Sequence, residues 1–412
     1  MKKFIALLYF CATVAIIHAQ SRADSVKNCP LQLTFAYPLG TNGVLGYNIR
    51  NNVSINLLTG IGNGVDGFEI AGLVNLNRQS VNGVQIAGVF NGNNGHLSGI
   101  QCSGFANATN GRAIGTQLAG FANLTNGDVD GGQGSGFANI VLGGLSGVQC
   151  AGFYNHSGTK MQGFQCSGFA NFAGDSVSGT QIAGFCNIAM KNMTGTQASG
   201  FANIATGTCT GLQLSSFSNV ATDSIAGTQI TGFVNFARNI NGFQIGIINI
   251  SDTIKNGLPI GFMTITKGGY YSLEIEANEI THLNIAFKMG VKRFYNIYSA
   301  HASFHSGNVY WGQGYGFGSQ WASKGKISVN TDIICASINK NDEIFEHLNL
   351  LNTLKLQVGY QISKTSQLFA GPAINVHLYN DSEQLLPYTF YEWNEGSHHI
   401  DISAGLGLGL RF

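Results

Sequence analysis

"GTQIAGFCNI" (residues 179–188) reads as an ordinary buried strand until its neighbours are set beside it. "GFQCSGFANF" starts 16 residues earlier and "GTQASGFANI" 16 residues later. Aligned on the glycine that opens "GxQ", copies begin at residues 67, 83, 99, 115, 131, 147, 163, 179, 195, 211 and 227, and two looser copies follow at Gly242 and Gly257 after steps of 15. A fixed period of this length marks a repeat architecture. The shared pattern is Gly-x-Gln, an aliphatic residue or Cys, Ala or Ser, Gly-Phe-x-Asn, and a seven-residue variable tail; Ser216 stands where the other strict copies carry Gly.

The residues that recur decide the arrangement. Gln85, Gln101 and Gln117 run on to Gln244, Phe105 runs to Phe233, and Asn75 to Asn235. Parallel strands stacked about 4.8 Å apart place identical residues on top of one another. Their rings and side-chain amides then form ladders. An antiparallel meander is the competing arrangement, but it alternates identical positions between two ends and forms no ladder. The repeat therefore favours a β-solenoid of about 13 coils over residues 61–266. Glycines five apart permit a 5+5+6 division of each coil and leave the number of faces open.

Outside the repeat the pattern changes to strict alternation. In "TLKLQVGYQI", Leu354, Leu356, Val358, Tyr360 and Ile362 share one face and Lys355, Gln357, Gly359 and Gln361 the other. "YSLEIEAN" sets Tyr271, Leu273, Ile275 and Ala277 against Ser272, Glu274, Glu276 and Asn278. Near the N-terminus, "LQLTFAY" (31–37) and "VSINLL" (53–58) alternate in the same way. Such strands suit a soluble sandwich or a lipid-facing barrel. Their length favours the barrel, since strands in globular proteins usually have about five or six residues. The expected fold is all-β: stacked 16-residue solenoid repeats plus an antiparallel barrel of about 8–10 strands. The expected order is a signal peptide at 1–19, N-terminal barrel strands within 20–60, the solenoid at 61–266 and the rest of the barrel at 267–412.

Composition bounds the function. Only 10% of the 412 residues are charged and the formal net charge is +1. A nucleic-acid partner is excluded by the lack of a clustered basic surface. "MKKFIALLYFCATVAIIHAQ" combines Lys2 and Lys3, an apolar run and Ala19 before the expected cut, the pattern of an export signal. Eight cysteines, seven of them after that segment, make no complete disulfide framework. Cys102, Cys150 and Cys166 occupy the aliphatic position of the repeat and read as small buried hydrophobes. No Cys/His spacing supports a metal, and no cofactor motif is present. "GNGVDG" (62–67) fits a dinucleotide fingerprint only formally, because it leads into a repeat strand rather than a helix.

Candidate chemistry is sparse. Glu274 and Glu276 share a strand face, with Lys288 one strand on, as a lumen charge network or an acid/base pair. His301 and His305 lie about 13 Å apart on one strand face. His398 and His399 point to opposite faces. "VYWGQGYGFGSQW" puts Trp311, Tyr315, Phe317 and Trp321 on one face, as a lipid-facing strand does. Tyr388, Phe390, Tyr391 and Trp393, in the segment 379–399, form the candidate ligand-binding loop, with an interfacial aromatic girdle as the other reading.

The chain closes on "DISAGLGLGLRF", whose alternation ends in Phe412. This segment resembles the final strand by which Gram-negative outer-membrane β-barrels are recognised. The "GxQIAGFxN" units, from about Gly67 to Thr264, resemble an uncharacterised bacterial surface repeat-containing family. Together these resemblances imply an outer-membrane location with surface-exposed repeats and no established activity. The expected protein is a non-enzymatic scaffold whose partners are outer-membrane lipid and a surface glycan or protein. Solute transport, an outer-membrane enzyme and a secreted soluble protein are the alternatives.

Overall fold

A computed structural model of the chain describes residues 26–305, 307–341, 348–380 and 385–412. The expected signal peptide at 1–19 lies outside the described residues. The fold is all-β apart from a 3-10 turn at Gly43–Asn48: a parallel solenoid of about 14 turns and a closed antiparallel barrel of eight strands. The chain divides into two compact units, up to Ile230 and from Thr231 to Phe412.

In the first unit each repeat contributes two strands, such as Leu97–Ser103 and Ala106–Thr109. From Gly64–Ala71 onward the repeat strands pair in parallel with their counterparts 16 residues on, Gln101 opposite Gln117 and Asn107 opposite Asn123. Leu97, Gln101, Asn107 and Thr109 point inward and are buried, whereas Ile100 and Phe105 point outward. The interior is therefore largely polar, and two amide ladders hold it together. Along the glutamines, each Nε2 donates to the Oε1 of the preceding coil, at 2.7–2.9 Å from Gln101 to Gln229. Along the asparagines the direction is reversed: Asn139 Nδ2 donates forward to Asn155 Oδ1 at 3.0 Å, and Asn155 Nδ2 to Asn171 Oδ1 at 2.9 Å. The second hydrogen of Asn155 reaches the carbonyl of Cys166 at 2.7 Å, which fixes which end of the amide is nitrogen. A buried amide whose donors and acceptor are matched at every rung is stabilising, and one rung removed strands its neighbours.

Glycine is required where coils touch. Gly163 has φ +121, and a Cβ there would lie 2.1 Å from the carbonyl oxygen of Gly147. Outside, Phe105 to Phe217 stack ring on ring at 4.8–5.0 Å with interplanar angles of 1–4°. The Ser216 coil keeps this register, since Phe217 still stacks on Phe201 at 4.9 Å.

The glutamine ladder ends at Glu69, which occupies a Gln position. Its Oε2 accepts from Gln85 Nε2 at 2.8 Å and from Asn77 Nδ2 at 2.6 Å. An acceptor suits this end because the ladder arrives there donor first. Full burial raises the Glu69 carboxyl to about 7, against the pull of Asn77 and Gln85.

Two expectations are corrected here. Among the described residues of the segment 20–60 there is no barrel strand: Lys27–Ala36 pairs in parallel with Ile49–Gly62, which pairs in parallel with Gly64–Ala71, so these segments are solenoid coils. Cys102, Cys150 and Cys166 sit on the outward side of their strands, Cys150 exposed and the other two half-buried. Among the described cysteines the buried one is Cys209, in the inward aliphatic row with Val177 and Met193, where burial pushes its thiol up to about 12.

In the second unit, residues 234–266 form further parallel coils, with Asn235 Nδ2 donating to Asn249 Oδ1 at 3.0 Å. The barrel follows: β1 Tyr270–Asn278, β2 Leu283–Val291, β3 Phe294–His305, β4 Asn308–Lys324, β5 Ile327–Lys340, β6 Asn349–Gln361, β7 Gln367–Asn380 and β8 His398–Arg411. Neighbours pair antiparallel, and β1 closes the sheet on β8 with Glu274 opposite Arg411. Period-two alternation then sends one face of every strand into the lumen.

The ladders yield two tests. Asn155→Ala strands the Asn139 amide and the Cys166 carbonyl, so opening of the coils around 139–187 becomes easier by about 2–3 kcal/mol; hydrogen exchange there speeds up accordingly, and Gly163→Ala is more damaging still. Glu69 has its folded pKa raised above the ordinary 4.5, so the stability it contributes is full below about pH 4.5 and is lost as pH rises through 7. Glu69→Gln adds a rung without that loss. Urea unfolding at pH 8 shows the variant more stable than the parent by about 1–3 kcal/mol, with the gap closing by pH 4.5.

Candidate functional site

The barrel lumen brings together the ionisable residues singled out from the sequence. On β1, Glu274 and Glu276 point inward because Leu273 and Ile275 point out. Lys288 Nζ on β2 lies 2.7 Å from Glu274 Oε1 and 2.5 Å from Asp332 Oδ2 on β5. Arg411 Nε on β8 donates to Glu274 Oε1 at 2.5 Å, and Lys355 Nζ on β6 meets both Glu276 oxygens at 2.8 Å. Three carboxylates thus face three cations, all buried. Neutral groups complete the set: Tyr295 OH donates to Asp332 Oδ1 at 2.7 Å, and Arg411 reaches Gln367 Oε1 at 2.7 Å and Gln357 Oε1 at 3.0 Å. Lys288 also lies over the Tyr295 ring, 5.1 Å from its centroid.

This geometry is a filled cross-section. Eight strands enclose an interior about wide enough for side chains alone. Two voids lined by network residues measure about 10 Å³ each, room for about one water molecule. Toward the longer loops, Ile280 and Leu386 pack with Tyr310, Ile338 and Leu351 as an apolar plug. No carboxylate of the three is left unpaired beside an open cleft, so the set suits structural ion pairing better than acid/base work.

The remaining candidates disperse. His301 is buried beside the network, with Nδ1 donating to Asn284 Oδ1 at 2.6 Å and Nε2 accepting from Ser299 Oγ at 2.8 Å; His305 ends β3. His398 and His399 bond separately to Asn380 and Asn394. Gly62 and Gly64 belong to successive strands, with no helix after them. Among the described residues no three His, Cys, Asp or Glu side chains gather as a metal site.

Tyr388, Phe390, Tyr391 and Trp393 are all exposed, on an arm whose strand Tyr391–Glu395 pairs with the start of β8. Tyr391 stands opposite Ile402 and Trp393 opposite Ile400, so both continue the outer face of the wall, and Tyr388 OH donates to the Ala404 carbonyl. Trp311 and Phe304 lie outward at that same end, while Tyr271, Trp321 and Tyr360 lie outward at the other. Between these two groups the outer wall carries Ile275, Phe287, Ile333, Leu356, Leu408 and similar side chains, and among the described residues none of the outward strand positions there is charged.

Sequence reasoning set Gln357 on the polar face of β6 but did not single out Asp332 or Tyr295, although their parity on β5 and β3 places them inward. The chain matches no protein-family model, no curated protein and no solved structure.

The network makes a stability prediction. Glu274→Gln leaves Lys288 and Arg411 short of a shared buried acceptor and destabilises the barrel by about 3–5 kcal/mol. Urea unfolding of the purified protein measures it, and an unchanged midpoint would sink the structural reading of the cluster.

Proposed function

We propose that the chain is an outer-membrane protein whose barrel is an anchor and whose solenoid is a non-catalytic scaffold. One observation carries this: the barrel directs its charges inward, where they seal the lumen, and leaves an uncharged apolar wall with aromatic residues toward both ends. An apolar band about 25 Å tall between aromatic girdles is the outer surface of transmembrane barrels. A soluble sandwich would instead bury its apolar faces together. The sealed lumen speaks against solute transport, and the ion-paired carboxylates speak against a lumenal enzyme.

Loop lengths bear on sidedness. Tyr270 and Phe412 lie at one end of the barrel, where Phe412 N donates to the Leu273 carbonyl at 2.9 Å. The connections at that end are short: 292–293, 325–326 and 362–366. The other end carries 279–282 and 306–307 together with the two longest connections, 341–348 and 381–397. Transmembrane barrels place short turns in the periplasm and longer loops outside. The repeats enter the barrel at Tyr270 and so belong on the periplasmic side under this reading, opposite to the display that the family resemblance implies. The exposed arm with Tyr388, Phe390, Tyr391 and Trp393 then faces outward, as the part of the protein available to a glycan or protein ligand.

A protease site inserted within 341–348 and another between Gly158 and Met161 test the arrangement. On intact cells the loop site is cut and the repeat site is spared; after the outer membrane is permeabilised both are cut. The reverse pattern overturns the sidedness, and recovery of the chain in a soluble fraction overturns the membrane anchor. The purified protein in planar bilayers carries no steady conductance.

A further inference from the structure

The outward residue that follows each ladder glutamine is a cysteine in two neighbouring coils. On the strands Leu145–Ala151 and Met161–Ser167, Cys150 stands directly opposite Cys166, because the coils pair in parallel and in register. Both belong to the first unit and both point outward, Cys150 exposed and Cys166 half-buried. The other cysteines of the repeat have no cysteine beside them. Cys102 lies between Ile86 and Leu118, and Cys186 between Ala170 and Ala202. Cys209 has the Met193 sulfur 3.7 Å away, but both are sealed in the interior.

The ladders fix how far apart the two thiols stand. Phe153 and Phe169, three residues on in the same two coils, stack at 4.8 Å, and Gln165 donates to Gln149 at 2.7 Å one residue before the pair. Side chains in register on parallel strands keep the strand spacing of about 4.8 Å. A disulfide needs its Cβ atoms about 3.5–4.5 Å apart, closer than that spacing. A metal ion midway between two thiolates, with a bond of about 2.3 Å to each, spans about 4.6 Å. The coil spacing therefore suits a bridging metal better than a sulfur–sulfur bond.

The surroundings select the kind of metal. Residues 145–157 and 161–173 contain no Asp, Glu, Lys or Arg, and Val148 and Phe164 precede the two thiols on the same outward side. Among the described residues no third His, Cys, Asp or Glu gathers with the pair. Structural zinc takes four ligands. Thiolates alone select soft ions such as Cu(I), which accept two ligands in a line. Gly134, opposite Cys150 on its other side, has no side chain and leaves that flank open as an entry path. Partial desolvation, and after it the neighbouring Cys166, push the Cys150 thiol up, so without a metal it stays protonated and weakly reactive.

We propose that Cys150 and Cys166 form a two-thiolate site for a soft monovalent cation of the copper(I) class, held between adjacent coils. Binding breaks two S–H bonds, forms two metal–sulfur bonds and releases two protons, with no electron transferred. The site goes beyond the scaffold reading and is independent of where the repeats lie.

The test titrates the full-length purified protein with copper(I) buffered by the chromophoric chelator bicinchoninate, without oxygen. The parent withdraws one copper(I) per chain, and X-ray absorption shows two sulfur neighbours and no nitrogen or oxygen. Cys166→Ile weakens binding by more than about 100-fold, beyond what loss of an outer-shell partner costs a metal site, and Cys102→Ser leaves it unchanged. Register supplies the decisive pair of variants. Adding Ile182→Cys to Cys166→Ile restores the number of thiols but sets the second one two coils from Cys150, about 9.6 Å away, and binding stays lost. Adding Gly134→Cys instead puts a thiol on the adjacent coil, where its Cβ meets only the tip of Leu118, and binding returns. Copper held equally by the Ile182→Cys combination, or retained by Cys166→Ile alone, overturns the proposal. So does a parent that takes up no copper, whose two cysteines are then only small apolar side chains. Recovery of a Cys150–Cys166 disulfide from protein purified without reductant overturns it too, because that bond requires a closer approach than the metal does.

Discussion

A buried primary amide that finds a partner for each of its hydrogens and its oxygen is the interaction on which the solenoid depends. Asn155 illustrates the condition: its oxygen accepts from Asn139, one hydrogen goes to Asn171 and the other to the Cys166 carbonyl. An amide placed in an apolar interior without such partners is strongly penalised, so the ladder works only if every coil repeats at the same spacing. That demand explains the strict period. It also explains the glycines, because a Cβ at Gly163 or Gly168 would sit 2.1 Å from a carbonyl oxygen of the coil before and hold the coils apart. The aliphatic row of Val81, Leu97, Met161 and Ile225 fills the space the amides leave.

Opposed ladder directions settle the ends. With glutamines donating backward and asparagines forward, one ladder arrives at the first coils with free donors and the other with free acceptors. Glu69 answers the first with a carboxylate oxygen, and Asn56 the second by donating to Asn75 Oδ1 at 3.1 Å. Gln32 in turn donates to Asn56 at 3.2 Å. The segment before the strict repeat is therefore a cap assembled from the same chemistry.

That cap also shows where sequence reading stops. The period, the ladder residues and the alternation of β1, β6 and β8 were all legible, since each follows from residues recurring at fixed steps. The mistake lay at Leu31, Leu33 and Phe35, which alternate with Gln32 and Thr34 as a barrel strand would. In the structure those apolar residues are 45–54% exposed and their polar neighbours are buried, but within a solenoid coil. Alternation reports that one face is polar and one apolar, and cannot report which sheet the strand joins. The inward amides at Gln32, Asn51 and Asn56 were the distinguishing signal. The lumen network was only partly legible for a similar reason: parity assigns Lys288 and Asp332 to the interior, while their 2.5 Å contact depends on how far the strands are staggered around the barrel. The cysteines failed differently, because aliphatic neighbours in a repeat do not imply burial when the outside is itself apolar.

Both parts of the molecule thus share an inverted organisation, amides or ion pairs within and apolar side chains without. One could ask whether charge is absent from the outer rows of the solenoid only because stacked like charges repel. Like charges directly opposite one another do destabilise a sheet, but opposite charges stabilise it. The tails exploit this, with Lys191 Nζ 2.6 Å from Asp175 Oδ2 on the adjacent coil. Coil packing is no better an explanation, because the outward position after the opening glycine accepts Val84, Ile100, Thr116, Gly132, Phe164 and Thr180. A position that tolerates glycine, threonine and phenylalanine is not constrained in size, and threonine shows that a hydroxyl is accepted. What it lacks is a full charge. Size is thus free at this position, whereas formal charge in the coils that open at Gly83 through Gly227 is confined to the tails.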